Sequence, residues 1–547
     1  MRSVYPLLIG TFVALGAQGA PSSTTGSDKN PIIRTSYGRL QGNISEYRDN
    51  VYAFKGIPFA SPPTGEARWT PPTKPDSWDG IRKATVPGPQ CPQPLIDGKG
   101  LWTTGSEVMS EDCLYLNIWT PTTDTSANLP VYIWMYGGRF VDGSGDVITY
   151  DGSGLAAQDI VMVTINYRLG PFGYLAHPEL SAESPHNVSG NYGVMDMIAA
   201  VEWVKAEIAN FGGNPEKITV GGQSSGSSCA LDMFYSPQSS GLIAGVIAES
   251  GPRAPHDPIT GSVATSYRKK EHALASGVDF VSNKLNVSSI AEARKIPTAN
   301  MTTWSQLNDT IFDGTQFENV TNFSEPPLWR PVLDGYVLPY SYWEALLNNE
   351  HANVPILAGN NKDETGASPD PGYTVSTYRG NYTAMYGNLS TRYFELYPAD
   401  TYYEANNQSN LMWQDFSRIS TWQFALNMAA GGNKQPVWSY YWTHAPPGQD
   451  LGAFHGSEMY YVFNNIPYNY PDMPWTRDDY EVQTRMTAYW ANFIKTGNPN
   501  GGSLTKWLPS KFGHQTMWLG DSWGSDTIGE SSHVDLIADF FSYQTPY

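Results

Sequence analysis

Cysteine is scarce in this chain: Cys91, Cys113 and Cys229 are the three cysteines among 547 residues. So few cysteines exclude a disulfide-dense scaffold and the common four-cysteine zinc sites. Charge is also sparse, since Asp, Glu, Lys and Arg make up 16% of the residues, against about 25% in an average protein. Positive charge is the scarcer sign, because 33 Lys and Arg face 52 Asp and Glu. An acidic surface repels phosphates, which excludes nucleic acid as a partner.

Long apolar runs are missing as well. No segment approaches the roughly 18 consecutive apolar residues of a membrane-spanning helix, so we expect no transmembrane segment. Hydrophobic residues nevertheless make up 40% of the chain, which is enough for a large core. This composition is unlike that of disordered proteins, which combine low hydrophobicity with high charge. The sequence thus indicates a large, soluble, acidic globular protein, and we expect an enzyme.

The amino terminus has the features of a secretory signal peptide over residues 1–19. Arg2 supplies the positive charge, the stretch Leu7–Leu15 is apolar, and Ala17-Gln-Gly19 is a cleavage site of small residues. The sequence therefore predicts a secreted protein whose mature chain begins near Ala20. An uncleaved membrane anchor is the alternative interpretation, and the shortness of the apolar stretch argues against it.

Ten Asn-x-Ser/Thr sequons become meaningful in a secreted protein, where they are acceptors for glycans. They lie at Asn43, Asn187, Asn286, Asn300, Asn308, Asn319, Asn322, Asn381, Asn388 and Asn407. Eight of the ten fall between residues 286 and 407. Because glycans need a surface position, we expect 286–407 to be an exposed cap or outer layer. Whether each sequon is used stays open.

Short apolar runs alternate with helical patterns along the chain. The runs Val131–Met135, Ile160–Ile165, Ile218–Val220, Gly245–Ala248 and Val354–Ala358 each precede turn residues, which is typical of buried strands in a parallel sheet. Helical spacing predicts one helix that ends at Gly212 and another that ends near Gly497. The alternation predicts an α/β fold with helices on both faces of a mostly parallel sheet. No shift in composition divides the chain, so we expect residues 20–547 to form a single domain.

The segment around Ser224 carries the clearest chemical signal. Gly222-x-Ser224-x-Gly226 follows an apolar strand and precedes a helix of small residues. This strand–turn–helix context predicts a nucleophile elbow, in which a sharp turn lifts the serine above the sheet. The neighbouring Ser225 lacks the flanking glycines at the right spacing. We therefore predict Ser224 as the nucleophile.

A nucleophilic serine needs a base and an acid that orients the base, here in the order serine, acid, histidine. Five histidines follow the elbow and any suitable acid: His351, His444, His455, His514 and His533. His455 ranks first because it stands in a turn-like stretch at the entry to a helical segment. For the acid, Asp363 and Glu364 both lie in the loop after a predicted strand, and this position favours Glu364 over Asp363 only slightly.

At these residues the sequence resembles the type-B carboxylesterase/lipase family, which includes cholinesterases and secreted fungal lipases. The resemblance covers nearly the whole mature chain and is carried by the segments Phe54–Trp69, Ser110–Pro121, Thr164–Gly173, Gly190–Asp196, Asn361–Glu364 and His455–Glu458. It implies an α/β-hydrolase fold and a carboxylic ester hydrolase with Ser224, His455 and Glu364 as its triad. The family mechanism passes through an acyl-enzyme and needs no metal and no organic cofactor.

The resemblance also implies roles for residues around the triad. It pairs Cys91 with Cys113 in a disulfide and leaves Cys229, which stands in a small and apolar context, as a buried free thiol. A reactive thiol is the weaker alternative for Cys229. The resemblance also places Ser250 and Glu458 in a buried layer behind the triad.

Two positions depart from the family pattern. Arg139 replaces a glycine in the oxyanion loop Tyr136–Phe140, and Gln223 replaces the glutamate before the nucleophile. Oxyanion donors are backbone N–H groups, so Gly138, Arg139 and Ser225 can still supply them. The two changes add two positive units near the site, from which we expect a small-molecule ester substrate that is neutral or anionic. The alternative is that Arg139 pairs with Asp142 or Asp146 and faces away.

The resemblance further predicts substrate contacts. We expect Trp102, Tyr136, Phe140 and Arg139 to contact the substrate, although a structural tryptophan is an equally good interpretation of Trp102. The loop between Cys91 and Cys113 is a candidate lid. Its 21 intervening residues leave little length for a large lid, which favours an esterase over a triglyceride lipase.

Three functions are compatible with this reading. The first is a general secreted carboxylesterase. The second is a tailoring or detoxifying enzyme for one secondary metabolite, acting by ester or lactone hydrolysis, acyl transfer or a non-hydrolytic step. The altered positions Arg139 and Gln223 favour it. The third is an inactive, cholinesterase-like binding protein, against which the complete triad argues.

Overall fold

The computed structural model describes residues 30–94, 108–259, 267–320, 325–364, 371–510 and 513–546. The predicted signal peptide and Trp102 lie outside these ranges.

A large mixed sheet forms the centre of the fold. In chain order the strands are β1 (Ile32–Arg34), β2 (Arg39–Gln41), β3 (Asn43–Ile44), β4 (Tyr52–Pro58), β5 (Ile81–Lys83), β6 (Tyr115–Thr120), β7 (Leu129–Met135), β8 (Val161–Ile165), β9 (Gly213–Gln223), β10 (Gly245–Glu249), β11 (Arg268–Lys269), β12 (Val332–Leu333), β13 (Ile356–Asn361), β14 (Val437–Trp442), β15 (Gln515–Leu519) and β16 (Gly524–Thr527). Eleven of them form one sheet in the order β16-β15-β14-β13-β10-β9-β7-β8-β6-β4-β3. Seven neighbouring strands of this sheet are parallel, namely β15, β14, β13, β10, β9, β7 and β8. Antiparallel strands flank them at both edges.

Helices surround this sheet. They are α1 (Ser153–Ala156), α2 (Gly170–Tyr174), α3 (Pro178–Glu183), α4 (Tyr192–Glu207), α5 (Ser225–Tyr235), α6 (Lys270–Asp279), α7 (Ile290–Ala293), α8 (Thr298–Thr302), α9 (Tyr342–Leu347), α10 (Val375–Tyr386), α11 (Ser390–Leu396), α12 (Tyr402–Ala430), α13 (Met459–Val462), α14 (Arg477–Thr496) and α15 (Ser531–Ser542). Short 3₁₀ turns lie at Gly65–Ala67, Ile148–Tyr150, Ile208–Phe211, Pro237–Ser239 and Gly387–Leu389, and one π-helical turn lies at Phe280–Lys284. The predicted α/β architecture with a mostly parallel sheet is confirmed.

The central strands coincide with the predicted apolar runs. The five runs lie in β7, β8, β9, β10 and β13, and every residue of β8, β10 and β13 is buried. Strands with both faces covered read as continuous apolar runs, which explains why they were visible in the sequence. The two predicted helices are also present, and each ends at a glycine in the left-handed region, Gly212 and Gly497.

A second hydrophobic cluster lies beside the main core. It contains side chains of α10, α11, α12 and α15, among them Tyr382, Phe416 and Phe540. α12 is 29 residues long and buries polar as well as apolar side chains, including Asn406, Asp415 and Ser420.

The prediction that 286–407 forms an exposed outer layer is wrong for part of that segment. β13 lies inside it, is buried throughout and pairs with β10 and β14 in the middle of the sheet. The sequons bracket this strand, and seven sequon asparagines are exposed: Asn187, Asn286, Asn300, Asn308, Asn319, Asn388 and Asn407. Asn43 and Asn381 are half-buried, and Asn322 lies outside the described residues. The surface character therefore belongs to the segments on either side of β13.

Across the described residues, no helix has the length and apolar character needed to cross a membrane.

Candidate active site

Ser224 stands at a sharp turn between a buried strand and a helix. β9 ends at Gln223, α5 begins at Ser225, and Ser224 between them has φ 59° and ψ −127°. This backbone region is sparsely populated for residues other than glycine and is held only where the surroundings impose it. The Ser224 N–H donates to the carbonyl of Glu249 at the end of β10, at 2.9 Å. The predicted nucleophile is thus fixed in a strained turn at the carboxyl edge of the sheet.

The two glycines that flank Ser224 are required by close backbone contacts. A Cβ on Gly222 would lie 2.3 Å from the carbonyl oxygen of Gly226, and a Cβ on Gly226 would lie 2.1 Å from that of Met135. Real Cβ atoms do not approach so closely, so neither position accepts a side chain. The packing of β7 against the turn therefore explains the spacing of the motif.

Glu364 and His455 form an ion pair in which the carboxylate is buried and the imidazole is half-buried. His455 Nδ1 lies 2.5 Å from Glu364 Oε2. Glu364 follows β13, and its side chain is 5% exposed. The Asn361 N–H donates to Glu364 Oε1 at 2.8 Å, and Arg253 Nη2 lies 3.9 Å from the same oxygen. The loop after β13 thus delivers a carboxylate that fixes the orientation of the imidazole.

The neighbouring acid and the other histidines have different partners. Asp363 accepts from Gln414 Nε2 and from the N–H of Ala453, both at 2.8 Å, so it ties two loops together. His444 contacts Asp479 and Asp521, and His533 contacts Asp415. His351 stacks on Phe234, and His514 lies against Trp422. Of the five candidate histidines, His455 is the one that contacts Glu364.

The pKa values of the pair shift in opposite directions. Burial disfavours the carboxylate of Glu364, but the charge and hydrogen bond of His455 and the charge of Arg253 outweigh it, so its pKa is lowered. Burial also disfavours the imidazolium of His455, yet the charge and hydrogen bond of Glu364 raise its pKa. Each group therefore stabilises the charged form of the other.

Gln223 occupies the second ring nitrogen of His455. Gln223 Nε2 lies 3.1 Å from His455 Nε2, and among the described residues no hydrogen bond joins this nitrogen to Ser224 Oγ. With the Nδ1–H donating to Glu364, Nε2 accepts a hydrogen bond from the Gln223 amide. The lone pair of His455 Nε2, which would take the Ser224 proton, is therefore hydrogen-bonded to Gln223, the residue before Ser224.

The loop Tyr136–Phe140 lies directly against the elbow. A Cβ on Gly137 would lie 3.1 Å from Ser224 Cβ. In the described part of the chain, the N–H groups of Gly138, Arg139 and Ser225 donate to no protein acceptor. Three free N–H groups beside a serine hydroxyl are the arrangement that stabilises an oxyanion.

The hydroxyl of Ser225 anchors this loop. The N–H of Phe140 donates to Ser225 Oγ at 3.3 Å, and the side chain of Ser225 is buried. Arg139 and Phe140 both have positive φ, at 56° and 64°. The contact therefore helps to hold two strained residues next to the predicted oxyanion donors.

The guanidinium of Arg139 contacts Asn308 and Glu325. Arg139 Nη2 donates to the Glu325 carbonyl at 2.6 Å and lies 3.5 Å from Asn308 Oδ1. Asp142 and Asp146, the partners that we considered from the sequence, form no ion pair within 4 Å with Arg139 in the described structure. Burial raises the pKa of Asp142 to about 7, and the charge of Arg139 opposes this rise. Arg139 thus connects the predicted oxyanion loop to another part of the surface.

Two buried carboxylates lie behind the predicted triad. Glu249 accepts from the indole of Trp490 at 2.8 Å, and Glu458 accepts from the side chain of Asn361. Burial raises the pKa of Glu249 to about 8, and burial together with the charge of Glu249 raises that of Glu458 well above its usual value. The pair therefore retains a proton at neutral pH. Ser250 is buried next to Glu249 and is among the groups that lower the pKa of Glu364.

Tyr136 and Phe140 lie in the core. Tyr136 stacks on Tyr167 with ring centroids 4.5 Å apart, and Phe140 packs edge-on against Tyr174 at 5.4 Å. Both side chains are fully buried. This placement differs from the predicted contact with the substrate. In a sequence, an aromatic residue next to a loop glycine can support the loop from the core or line a pocket, and the pattern does not distinguish the two.

The predicted disulfide between Cys91 and Cys113 is confirmed. Cys229 is a buried free thiol, as predicted, and burial raises its pKa well above its usual value. A reactive thiolate at Cys229 is therefore disfavoured.

Three residues near the triad were not found from the sequence. Arg253 lies 3.9 Å from Glu364, and the charge of Glu249 raises the pKa of Glu458. Asn361 donates hydrogen bonds to Glu364 and to Glu458. Asn361 stands inside a segment that carried the family resemblance, and Glu249 directly precedes Ser250, to which the resemblance gave a role. Arg253 carried no such signal.

Comparisons with known proteins agree with this geometry. A sequence model described as the carboxylesterase family matches residues 29–520. The chain is 34% identical over 519 residues to a fumonisin B1 esterase from Sphingopyxis macrogoltabida, which covers 93% of this chain and 90% of that protein. It is 32% identical over 480 residues to the para-nitrobenzyl esterase of Bacillus subtilis (strain 168), with 86% and 90% covered.

Solved structures give the same picture. A PNB esterase superimposes with a TM-score of 0.74 at 27% identity, over 92% of this chain and 99% of that one. A carboxylesterase of Geobacillus stearothermophilus superimposes with a TM-score of 0.73 at 28% identity over the same shares.

Proposed function

Because the chain belongs to the carboxylesterase family and is a carboxylic ester hydrolase of the α/β-hydrolase fold, we propose that it acts through Ser224, His455 and Glu364. The observation that carries this proposal is the 2.5 Å contact between His455 and Glu364 at the sheet edge where Ser224 stands half-buried in its turn. No other described acid–histidine pair is joined to the elbow by a neighbour such as Gln223.

The proposed reaction begins when Ser224 Oγ attacks the ester carbonyl. His455 Nε2 takes the hydroxyl proton, and Glu364 stabilises the imidazolium. The N–H groups of Gly138, Arg139 and Ser225 stabilise the oxyanion, where one donor is typically worth about 3–4 kcal/mol. The imidazolium then protonates the leaving alcohol, and water releases the acid from the acyl-enzyme by the same route in reverse.

A panel of para-nitrophenyl esters of increasing acyl length tests this function. The wild type is expected to hydrolyse several of them. Ser224→Ala and His455→Ala should each lower kcat by about 10⁴-fold or more. Retention of most activity in either folded variant would contradict the proposed roles.

A second candidate is an enzyme dedicated to one compound. The relative from Sphingopyxis macrogoltabida is named for a single substrate, fumonisin B1, and Arg139 and Gln223 set this chain apart from the family pattern. Turnover confined to one acyl group in the same panel would favour this candidate over a general esterase.

We also propose that the protein is secreted and glycosylated, and that residues 20–547 form one domain. Support comes from the signal-like residues 1–19, the Cys91–Cys113 disulfide and the seven exposed sequon asparagines. Expression in a eukaryotic secretory host should give a mature chain that starts near Ala20 and loses mass with an endoglycosidase. Intracellular retention of an unmodified chain would contradict secretion.

The substrate is proposed to be neutral or anionic. Gln223 brings no charge to the elbow, and Arg253 is buried beside Glu364. A quaternary ammonium group would find no carboxylate at position 223 to stabilise it.

A further inference from the structure

A pocket of about 260 Å³ lies beside the segment to which Arg139 is bound. Arg268, Lys269, His272 and Arg330 line it together with Asp309 and apolar side chains such as Phe312. Three fixed positive charges thus face one carboxylate. In a protein whose net charge is −19, such an excess of positive charge is unusual.

Two buried arginines share the carboxylate of Asp309. Arg330 Nη1 lies 2.9 Å and Arg268 Nε lies 3.1 Å from the same oxygen, Asp309 Oδ2. β11 and β12 pair in parallel with Arg268 opposite Val332, which brings Arg268 close to Arg330. One carboxylate neutralises one guanidinium, so among the described residues one buried positive charge is left without an ion-pair partner.

Arg330 carries most of this excess. Its side chain is 3% exposed, and its Nε has no hydrogen-bond partner among the described residues. Burial, with the charges of Arg268 and Arg139, lowers the pKa of Arg330 to about 10, although Asp309 opposes the change. A buried polar group without a hydrogen-bond partner destabilises the fold, and a bound anion could supply the missing partner.

Two chain segments link the pocket to the proposed catalytic centre. Arg139 of the oxyanion loop binds Asn308 and Glu325, and Asn308 is followed directly by Asp309. On the other side, Arg253 lies 3.9 Å from Glu364, and the same segment reaches the pocket at Pro258. Both walls of the pocket are therefore continuous with segments that contact the triad or the oxyanion loop.

We propose that this pocket binds a carboxylate or phosphate group through Arg268, Lys269 and Arg330. Guanidinium groups bind such anions with strong, charge-assisted hydrogen bonds, and the apolar side of the pocket suits a short carbon chain. The anion has two sources to distinguish. It is either a second acid group on the ester substrate, which rests on the proposed function, or a free anion that binds beside the site.

Binding is tested first without any turnover. Sodium succinate and inorganic phosphate are titrated into the full chain by calorimetry, at constant ionic strength and with chloride as the reference. Wild type is compared with Arg268→Gln and with Lys269→Gln, an exposed position where the change leaves the fold intact. Lys217→Gln is the matched control, since it removes the same charge from an exposed site on β9, about 20 Å along the strand from Gln223.

A comparison of kcat/KM for two esters then identifies the source of the anion. Para-nitrophenyl hydrogen succinate and para-nitrophenyl methyl succinate have almost the same shape and differ in the charge of the far carboxyl group. A substrate-borne anion predicts that Arg268→Gln and Lys269→Gln lower the ratio of kcat/KM for the charged over the neutral ester by about tenfold. A free anion predicts weaker succinate or phosphate binding in these variants with an unchanged ratio.

The outcomes separate cleanly. Binding of succinate or phosphate to wild type and to Lys217→Gln, weakened at least about tenfold in Arg268→Gln and Lys269→Gln, supports the pocket. Absence of binding to wild type, or equal weakening in Lys217→Gln, overturns it. Loss of all ester turnover would count against the proposed function alone, because the calorimetric result does not depend on it.

Discussion

Gln223 Nε2 lies 3.1 Å from His455 Nε2, the nitrogen that accepts the Ser224 proton in the proposed mechanism. The two residues are 232 positions apart in the chain and meet at the carboxyl edge of the sheet. An amide offers both a donor and an acceptor, so by rotating Gln223 can serve the neutral imidazole and the imidazolium in turn. A glutamate at this position, as in the family pattern, would favour the imidazolium alone. Gln223 is therefore placed to keep His455 available as a neutral base.

Gln223→Glu is expected to move the acid limb of kcat/KM to higher pH. His455 acts as a base only when neutral, and its pKa already lies above the ordinary value of 6.5. A new carboxylate in contact with the ring would raise this pKa by about 1–3 units. The pH profile of para-nitrophenyl ester hydrolysis measures the change, with Gln223→Met as an uncharged control of similar size. An acid limb at the wild-type position in Gln223→Glu would contradict the account.

Ser225→Ala is expected to lower kcat by about 3- to 10-fold, less than the loss of a whole oxyanion donor. The variant keeps the backbone N–H at position 225 and loses the hydroxyl that accepts from Phe140. Because the oxyanion loop would then be held less firmly, KM for a small neutral ester should change less than kcat. An unchanged kcat in the folded variant would show that the hydroxyl has no part in positioning the loop.

Arg139→Gly is expected to increase the relative turnover of quaternary-ammonium esters over anionic ones by roughly tenfold, the size of a unit charge acting at several ångströms. The glycine accepts the positive φ of this position, so the loop can keep its shape. Arg139→Lys retains the charge and serves as the comparison. Identical selectivity in wild type and Arg139→Gly would rule out an electrostatic role for Arg139.

Glu249→Gln is expected to flatten the dependence of stability on pH. Burial raises the pKa of Glu249 to about 8, whereas a glutamate in an unfolded chain titrates near 4.3. Between these values the folded protein holds a proton that the unfolded chain lacks, so stability falls as pH rises. Melting temperatures from pH 5 to 8.5 should fall by about 2–4 °C less in the variant than in wild type.

The exposed Glu216 offers a control for this measurement. Glu216→Gln should follow the wild-type curve. A Glu249→Gln curve parallel to wild type would mean that Glu249 is already ionised at neutral pH.

The parts of the fold that could be predicted are those encoded locally. The central strands are visible because burial on both faces requires continuous apolar runs, as in β8 and β10. The elbow is visible because Gly222 and Gly226 cannot be replaced: a Cβ at either position would clash with the backbone of the turn or of β7. α12 was not visible, because it buries Asn406, Asp415 and Ser420 and so lacks a clean apolar stripe.

The elbow pattern was enough to predict Ser224, and local context ranked His455 first, but the choice of the acid depended on the family motif. From the residues alone, Asp363 and Glu364 were nearly equivalent, and three-dimensional contacts separate them: Asp363 bridges Gln414 and Ala453, whereas Glu364 faces His455. The meeting of Arg268, Arg330 and Asp309 depends on strand pairing between distant segments. The local sequence around each of these residues therefore does not predict that they meet.

The central claim is that Ser224 is a nucleophile activated by His455 and Glu364. Mass-spectrometric mapping of the adduct formed with a fluorophosphonate probe tests it most directly. The account predicts one adduct, on the peptide that carries Ser224, which is absent in folded Ser224→Ala and strongly slowed in folded His455→Ala. An adduct on Ser225, or no adduct on folded wild type, would contradict it.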